Sequence, residues 1–142
     1  MEFKSKFFDQ LTTRELYEIV RARTTIFLLE QRIICQDFDG VDYDALHCFL
    51  EEDGQVKAYM RAYRTEDGHV KIGRVLSIVH GQGLGSRLMG LALPEIKRTF
   101  NCDTIVINAQ KHALGFYEKI GFVVTSEEFL EEGIPHVAME YK

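Results

Sequence analysis

The sequence has little that would tie it to a polyanion, a membrane or an oxidising compartment. Basic residues are outnumbered, 17 Lys and Arg against 22 Asp and Glu for a net charge of −5, which argues against a nucleic-acid or anionic-membrane partner and mildly favours a cationic one. Cysteine is scarce and odd in number: Cys35, Cys48 and Cys102, without C-x-x-C spacing, indicate neither a disulfide framework nor a zinc site and fit a reducing cytoplasm. No stretch approaches the roughly 18 apolar residues of a membrane span, and MEFKSKFFDQ lacks the apolar core of a signal peptide. The expectation is a soluble, unprocessed chain. The acidic stretch QDFDGVDYDA, residues 36–45, also lacks calcium-loop spacing: a loop starting at Asp37 needs glycine sixth and glutamate twelfth, where Asp42 and Cys48 stand. No metal is expected. The stretch reads as a solvated acidic turn or as an electrostatic lure for a cationic acceptor, exposed in either case.

What is present is a chain of 142 residues, 46% hydrophobic. It reads as one domain over residues 1–142, able to bury roughly 68–70% of its unfolded surface. Its organising stretch is IGRVLSIVHGQGLGS, residues 72–86. Ile72, Val75, Leu76, Ile78 and Val79 read as a buried strand, and Gly81, Gly83 and Gly85 then remove Cβ atoms where the chain turns and something approaches its backbone. Successive peptide N–H groups at the start of a helix converge on one point, so strand, loop and helix form a cradle for phosphate. The third glycine comes one place too early for the dinucleotide fingerprint G-x-G-x-x-G, and Gly85-Ser86-Arg87 lacks the lysine of a Walker loop. The pattern R/Q-x-x-G-x-G/A fits at Gly83 and Gly85, with His80 in its first place. That pattern marks the pyrophosphate loop of acetyl-CoA-dependent acyltransferases.

In chain order, residues 2–8 read as a first strand. Thr12 and Glu15 have capping-box spacing and open a helix. Leu16, Ile19, Val20, Arg23 and Phe27 share its stripe, which runs towards Gln31 unless the β-branched pair Thr24-Thr25 splits it. Leu46–Glu52 and Gln55–Arg64 alternate around Asp53-Gly54, and Asp67-Gly68 repeats that type I′ turn signal before His69–Val79. The next helix runs from Gly83 to about Thr99 and buries Leu84, Leu88, Leu91 and Ala92. Pro94 predicts a kink or an early end near Leu93. Thr104–Gln110 is a strand, His112–Ile120 a short helix stopped by Gly121, and residues 122–129 and 134–141 complete the sheet. The fold class is α/β, a mixed and mostly antiparallel sheet whose one parallel pair flanks the glycine loop.

HGQGLGSRL after its strand, and AQKHALGFYEKIGF about 30 residues on, resemble motifs A and B of the GNAT superfamily of acetyl-CoA-dependent N-acetyltransferases. With LYEIVRARTTIFLLEQ, HCFLEEDG and EEGIPHVAM, nearly the whole chain is similar to the ElaA-like branch of that superfamily. The resemblance implies a splayed parallel pair with the pantetheine arm of acetyl-CoA between its strands. On it, the backbone of Leu76, Ser77 and Ile78 pairs with the pantetheine amides, and the amides of Gly81, Gln82, Gly83, Leu84, Gly85 and Ser86 hold the pyrophosphate. Gln110 stands where many members carry asparagine, and Tyr117 matches the tyrosine that protonates the departing thiolate.

The base is open. An amine attacks a thioester only when neutral, members often place a glutamate on the strand before the loop, and this strand has none. Glu30, His47 and His136 are the candidates. The expected function is acetyl transfer from acetyl-CoA to a primary amine, small or peptidic and possibly cationic, in a ternary complex. A non-catalytic CoA-binding module is the alternative, and monomer and homodimer both remain open.

Overall fold

The computed structural model describes all 142 residues. Its sheet has the order β1-β2-β3-β4-β5-β8-β6, with β7 also paired to β8. β1 (Glu2–Phe7), β2 (Leu46–Glu52), β3 (Gln55–Arg64) and β4 (Val70–Ser77) are antiparallel neighbours. β5 (Ile105–Gln110) lies parallel to β4, and β8 (Ile134–Tyr141) antiparallel to β5. Three α-helices complete the fold: α1 (Thr13–Arg23), α2 (Leu84–Phe100) and α3 (Leu114–Ile120).

Strand alternation separates two cores. Cys48, Leu50, Ala58 and Met60 turn to the face covered by α2, with Leu88, Met89, Leu93 and Ile96. Phe49 and Tyr59 turn to the other face, against Ile19, Ala22 and Ile26 of the first helix and its extension. The α1 entry is the expected capping box, with Thr12 Oγ1 accepting from Glu15 N at 3.0 Å and Glu15 Oε1 from Thr12 N at 2.8 Å. Its buried face is rotated from the expected stripe: Ile19 and Arg23 are buried, but Leu16, Val20 and Phe27 are half-buried and Glu15, Glu18, Ala22 and Ile26 take their places. Charged residues can face inward because partners wait there: Lys4 and Lys6 of β1 bind Glu15, and aspartates bind Arg23. At Thr24 the helix does change, into a π-helical segment over Thr24–Glu30. Thr25 Oγ1 donates to Arg21 O at 2.8 Å, the back-bond by which threonine loosens a helix.

Other expectations shift in detail. Asp53 and Gly54 both have positive φ, as a type I′ hairpin requires, whereas at Asp67-Gly68 only Gly68 does and its N–H closes a four-residue turn on Thr65 O. Glu132 and Gly133, both at positive φ, form a further such turn between β7 and β8. Residues 122–129 are not one strand but two short pieces, β6 (Val123–Val124) and β7 (Phe129–Glu131). Val79 and Leu91 are exposed rather than buried. Pro94 does not end α2, which continues to Phe100. Leu88, Met89, Leu93 and Ile96 are buried on both sides of it, and Gly90, whose carbonyl loses its donor, is exposed to water.

Candidate functional site

β4 and β5 pair only over Val70↔Ile105, Lys71↔Val106 and Ile72↔Ile107. Beyond Ile72 the strands diverge. A register shift between Tyr59 and Arg61 on β3 faces the point of divergence, and Arg74 takes a φ of 54° there, so irregularities in adjacent strands turn β4 away from β5. Ile78 N–H donates to Lys57 O at 2.9 Å, and the register pairs Leu76 with Tyr59 and Ser77 with Ala58. Alternation therefore commits the backbone of Leu76 and Ile78 to β3, contrary to expectation for those two, and turns that of Ser77 to the open fork.

The fork leads to the glycine loop. Gly81 at φ 78° and Gly83 at φ 70° are left-handed, and a Cβ on either would meet nothing within 4 Å, so the chain's conformation demands glycine while the space beside it stays open. The N–H groups of Val79, His80, Gly81, Gln82 and Gly83 make no hydrogen bond within the chain, and those of Leu84, Gly85 and Ser86 open α2, where no intrahelical acceptor exists. Gly85 has a different task, since a Cβ there would approach Phe116 Cζ of α3 to 3.2 Å. Open space, free donors and a helix N-terminus fit the pyrophosphate of a CoA thioester.

A cleft of about 560 Å³ occupies the fork. It passes through the sheet: Ile72, Ile107 and Tyr117 reach it from the α2 side, and Tyr63, Asn108 and His136 from the opposite face. Tyr117 is buried, its hydroxyl makes no hydrogen bond within the chain, and burial pushes its ionisation well above the usual tyrosine range. His136 is 6% exposed and sits opposite Gln110 in register. Its Nδ1–H donates to Ile134 O at 2.7 Å, so in the neutral ring the lone pair lies on Nε2, which has only Glu131 Oε2 nearby at 3.5 Å. Gln110 also lines the cleft, and its Nε2 donates to Gln31 Oε1 at 3.2 Å.

The other two base candidates lie elsewhere. His47 is a satisfied core residue: Nε2–H donates to Asp42 O at 2.9 Å, Nδ1 accepts from the Tyr59 hydroxyl at 2.6 Å, and burial lowers its pKa. With both nitrogens engaged it has no lone pair to offer. Glu30 stands outside the cleft, its carboxylate 2.9 Å from Nε2 of His80 on the glycine loop.

The acidic stretch is also corrected. Asp37, Asp39 and Asp42 do not stand free in solvent but alternate with three arginines in a closed ring: Arg23 with Asp37 and Asp42, Arg61 with Asp42 and Asp39, Arg74 with Asp39 and Asp37, all at 2.7–3.4 Å. Six alternating charges cancel, so these aspartates cast little field towards an approaching cation. A second acidic run, Glu127, Glu128, Glu131 and Glu132, lies near the other end of the chain; there Glu128 pairs with Lys111, and only Glu131 and Glu132 line the cleft. The ring was missed in the sequence, although Arg23 inside a helical stripe and Arg61 inside the apolar run AYMRAY were its signal. No three His, Cys, Asp or Glu side chains gather closely enough to hold a metal ion, and no helix is long and apolar enough to cross a membrane.

Known proteins share this fold. The family model described as the acetyltransferase (GNAT) domain matches residues 14–142. The protein ElaA of Escherichia coli is 30% identical over 98% of this chain and 95% of its own, and its crystal structure superposes with a TM-score of 0.91 over 99% of both. A UPF0039 protein of Schizosaccharomyces pombe is 36% identical over 98% of this chain and 95% of its own. A crystal structure described as an acyl-CoA N-acyltransferase from Pseudomonas aeruginosa is 36% identical, covers both chains completely and gives a TM-score of 0.92.

Proposed function

The chain belongs to the GNAT acetyltransferases, and from that premise we propose that it moves an acetyl group from acetyl-CoA to the nitrogen of a primary amine by direct transfer. The observation that carries the reading is the pairing of two unengaged groups across one cleft, the Tyr117 hydroxyl on the α2 side of the fork and His136 Nε2 on the other.

Acetyl-CoA, when bound, supplies the thioester. The amides of Gly81 to Ser86 hold its pyrophosphate, the open edge at Ser77 takes its pantetheine arm, and Gln110 supplies a further amide. On the acceptor side His136 Nε2 takes a proton from the attacking nitrogen, a task its Nδ1–H bond to Ile134 prepares by placing the neutral ring's lone pair on Nε2. A carbon–nitrogen bond forms and the carbon–sulfur bond breaks. Tyr117 gives its phenolic proton to the departing sulfur, and burial keeps that proton in place until it is needed. The products are an N-acetyl amine and free CoA thiol. With acid and base on opposite faces of the sheet, both substrates are held at once, so no acyl-enzyme is required.

Release of free thiol from acetyl-CoA across a panel of primary amines tests the reading. Amine-dependent release is expected. If acetyl-CoA raises the melting temperature yet no amine provokes release, the chain is a CoA-binding module without transferase activity.

A further inference from the structure

Once the arginine–aspartate ring is discounted as self-neutralised, the formal charges left in the cleft are Lys71 on one side and Glu131 and Glu132 on the other. Neither Lys71 Nζ nor the Glu132 carboxylate has an ion pair or hydrogen bond within the chain. Glu131 accepts from Asn108 Nδ2 at 3.2 Å, beside the unbonded Nε2 of His136. An acceptor carrying only positive charge would be drawn to the glutamates but would meet the ammonium of Lys71, and one carrying only a carboxylate would meet the reverse. A molecule with both charges, properly spaced, satisfies both walls.

The spacing is set by the sheet. Lys71 stands beside Val106 in the β4–β5 register, and Asn108, which holds Glu131, is two residues further along β5 on the same face. A strand separation near 4.8 Å and a rise near 3.3 Å per residue put the Cα atoms of Lys71 and Asn108 about 8 Å apart. Side chains projecting from that face can then grip a molecule whose amine and carboxylate are a few bonds apart. Lys71, Ile107 and Asn108 also line a second groove of about 230 Å³. The lysine therefore borders both spaces.

We propose that the acceptor is a zwitterion, a primary amine bearing a carboxylate, whose ammonium is received at Glu131 and Glu132 and whose carboxylate is bound by Lys71. The inference rests on the transfer reading and narrows its substrate class to amino acids and molecules of like charge.

The test compares amines with their carboxylated counterparts: ornithine against putrescine and β-alanine against ethylamine. The wild type is expected to prefer the carboxylated member of each pair in kcat/KM. Lys71→Met should lower kcat/KM for ornithine about 10- to 100-fold, the range of a lost charge-assisted hydrogen bond, and raise that for putrescine. Lys71→Glu should reverse the order within the pair, and an unchanged thermal shift with acetyl-CoA shows that either variant is folded. Ornithine should also stabilise the CoA-bound protein thermally, and this effect should disappear in Lys71→Met. Equal use of both members of each pair by the wild type, or equal losses on both in the variant, overturns the zwitterion while leaving transfer intact. Absence of thiol release with every amine overturns transfer itself, and thermal stabilisation by ornithine then reads the binding preference separately.

Discussion

Tyr117 and His136 share a property: each turns to the same cleft one functional atom that makes no hydrogen bond in the chain, the Tyr117 hydroxyl and His136 Nε2, the latter with the Glu131 carboxylate 3.5 Å away. Buried polar groups are ordinarily paired, because desolvation without a hydrogen bond costs about 1–3 kcal/mol, and His47 shows the ordinary solution, with Tyr59 and Asp42 O on its two nitrogens. A free hydroxyl and a free ring nitrogen are tolerated where substrate completes them. Removing each should therefore leave cofactor binding intact and slow the chemistry. Tyr117→Phe and His136→Gln are each expected to lower kcat roughly 10²- to 10⁴-fold, the usual worth of general acid–base catalysis, with the acetyl-CoA thermal shift unchanged. Imidazole in the medium should restore part of the activity of His136→Gln and none of Tyr117→Phe. A Tyr117→Phe enzyme with full turnover would return that ring to packing against Phe116 and Phe122.

On the proposed reading, strand, loop and helix from Val70 to Phe100 form the element on which cofactor binding turns, and each part acts through its backbone. Gly83 shows this most clearly, holding φ 70° at the start of α2 with open space beside it. Gly83→Val forces a β-branched residue into the left-handed region and puts its methyls where phosphate would lie. Saturating acetyl-CoA at 100 times its Kd should stabilise the wild type by about 2.7 kcal/mol, and Gly83→Val should lose that stabilisation. A variant that keeps the full shift would remove the loop from the binding site. This element was legible because its signals are local: a β-branched run, glycines at 81 and 83, then apolar residues at helical spacing. The same holds for the Thr12–Glu15 cap and the Asp53-Gly54 hairpin. Errors came where neighbours distant in sequence decide. Of the kink or early end expected at Pro94, the early end does not occur, because packing of Leu93 and Ile96 into the core outweighs one missing hydrogen bond at an exposed turn. The strand expected over 122–129 divides because β8 offers its edge to two short pieces rather than one.

At the scale of the whole molecule, the ring of Arg23, Arg61, Arg74 and three aspartates does what the apolar cores do not. It fastens the 37–42 segment at once to α1, β3 and β4, beside the mouth of the cleft. Its bonded partners lie up to 37 residues apart, so no local pattern reveals it, and four aspartates in one stretch look like a free acidic surface until the fold brings the arginines to them. Ion pairs to arginines as buried as Arg23 and Arg61 contribute little net stability while complete, and are costly when the carboxylate is lost. The ring therefore makes the wall of the cleft dependent on every carboxylate staying ionised. Asp39 is the member whose titration is clearest. Its bidentate hydrogen bonds from Arg61, at 2.7 and 2.9 Å, hold its pKa at about 2 against an ordinary 3.8. Because the folded value lies below the unfolded one, the folded chain binds fewer protons in this range. The stabilisation is then fully present above about pH 4 and is lost as pH falls through about 2. Asp39→Asn should be less stable than the wild type at neutral pH, since Arg61 keeps its charge and loses one of its two counter-ions, with only Asp42 left at 3.1 Å. The difference in melting temperature between the two proteins should shrink as pH is lowered from about 4 towards 2, where the wild-type carboxyl also becomes neutral. Two melting curves that stay parallel across that interval would mean that Arg61 finds compensation elsewhere, and that the ring holds the cleft wall by packing rather than by charge.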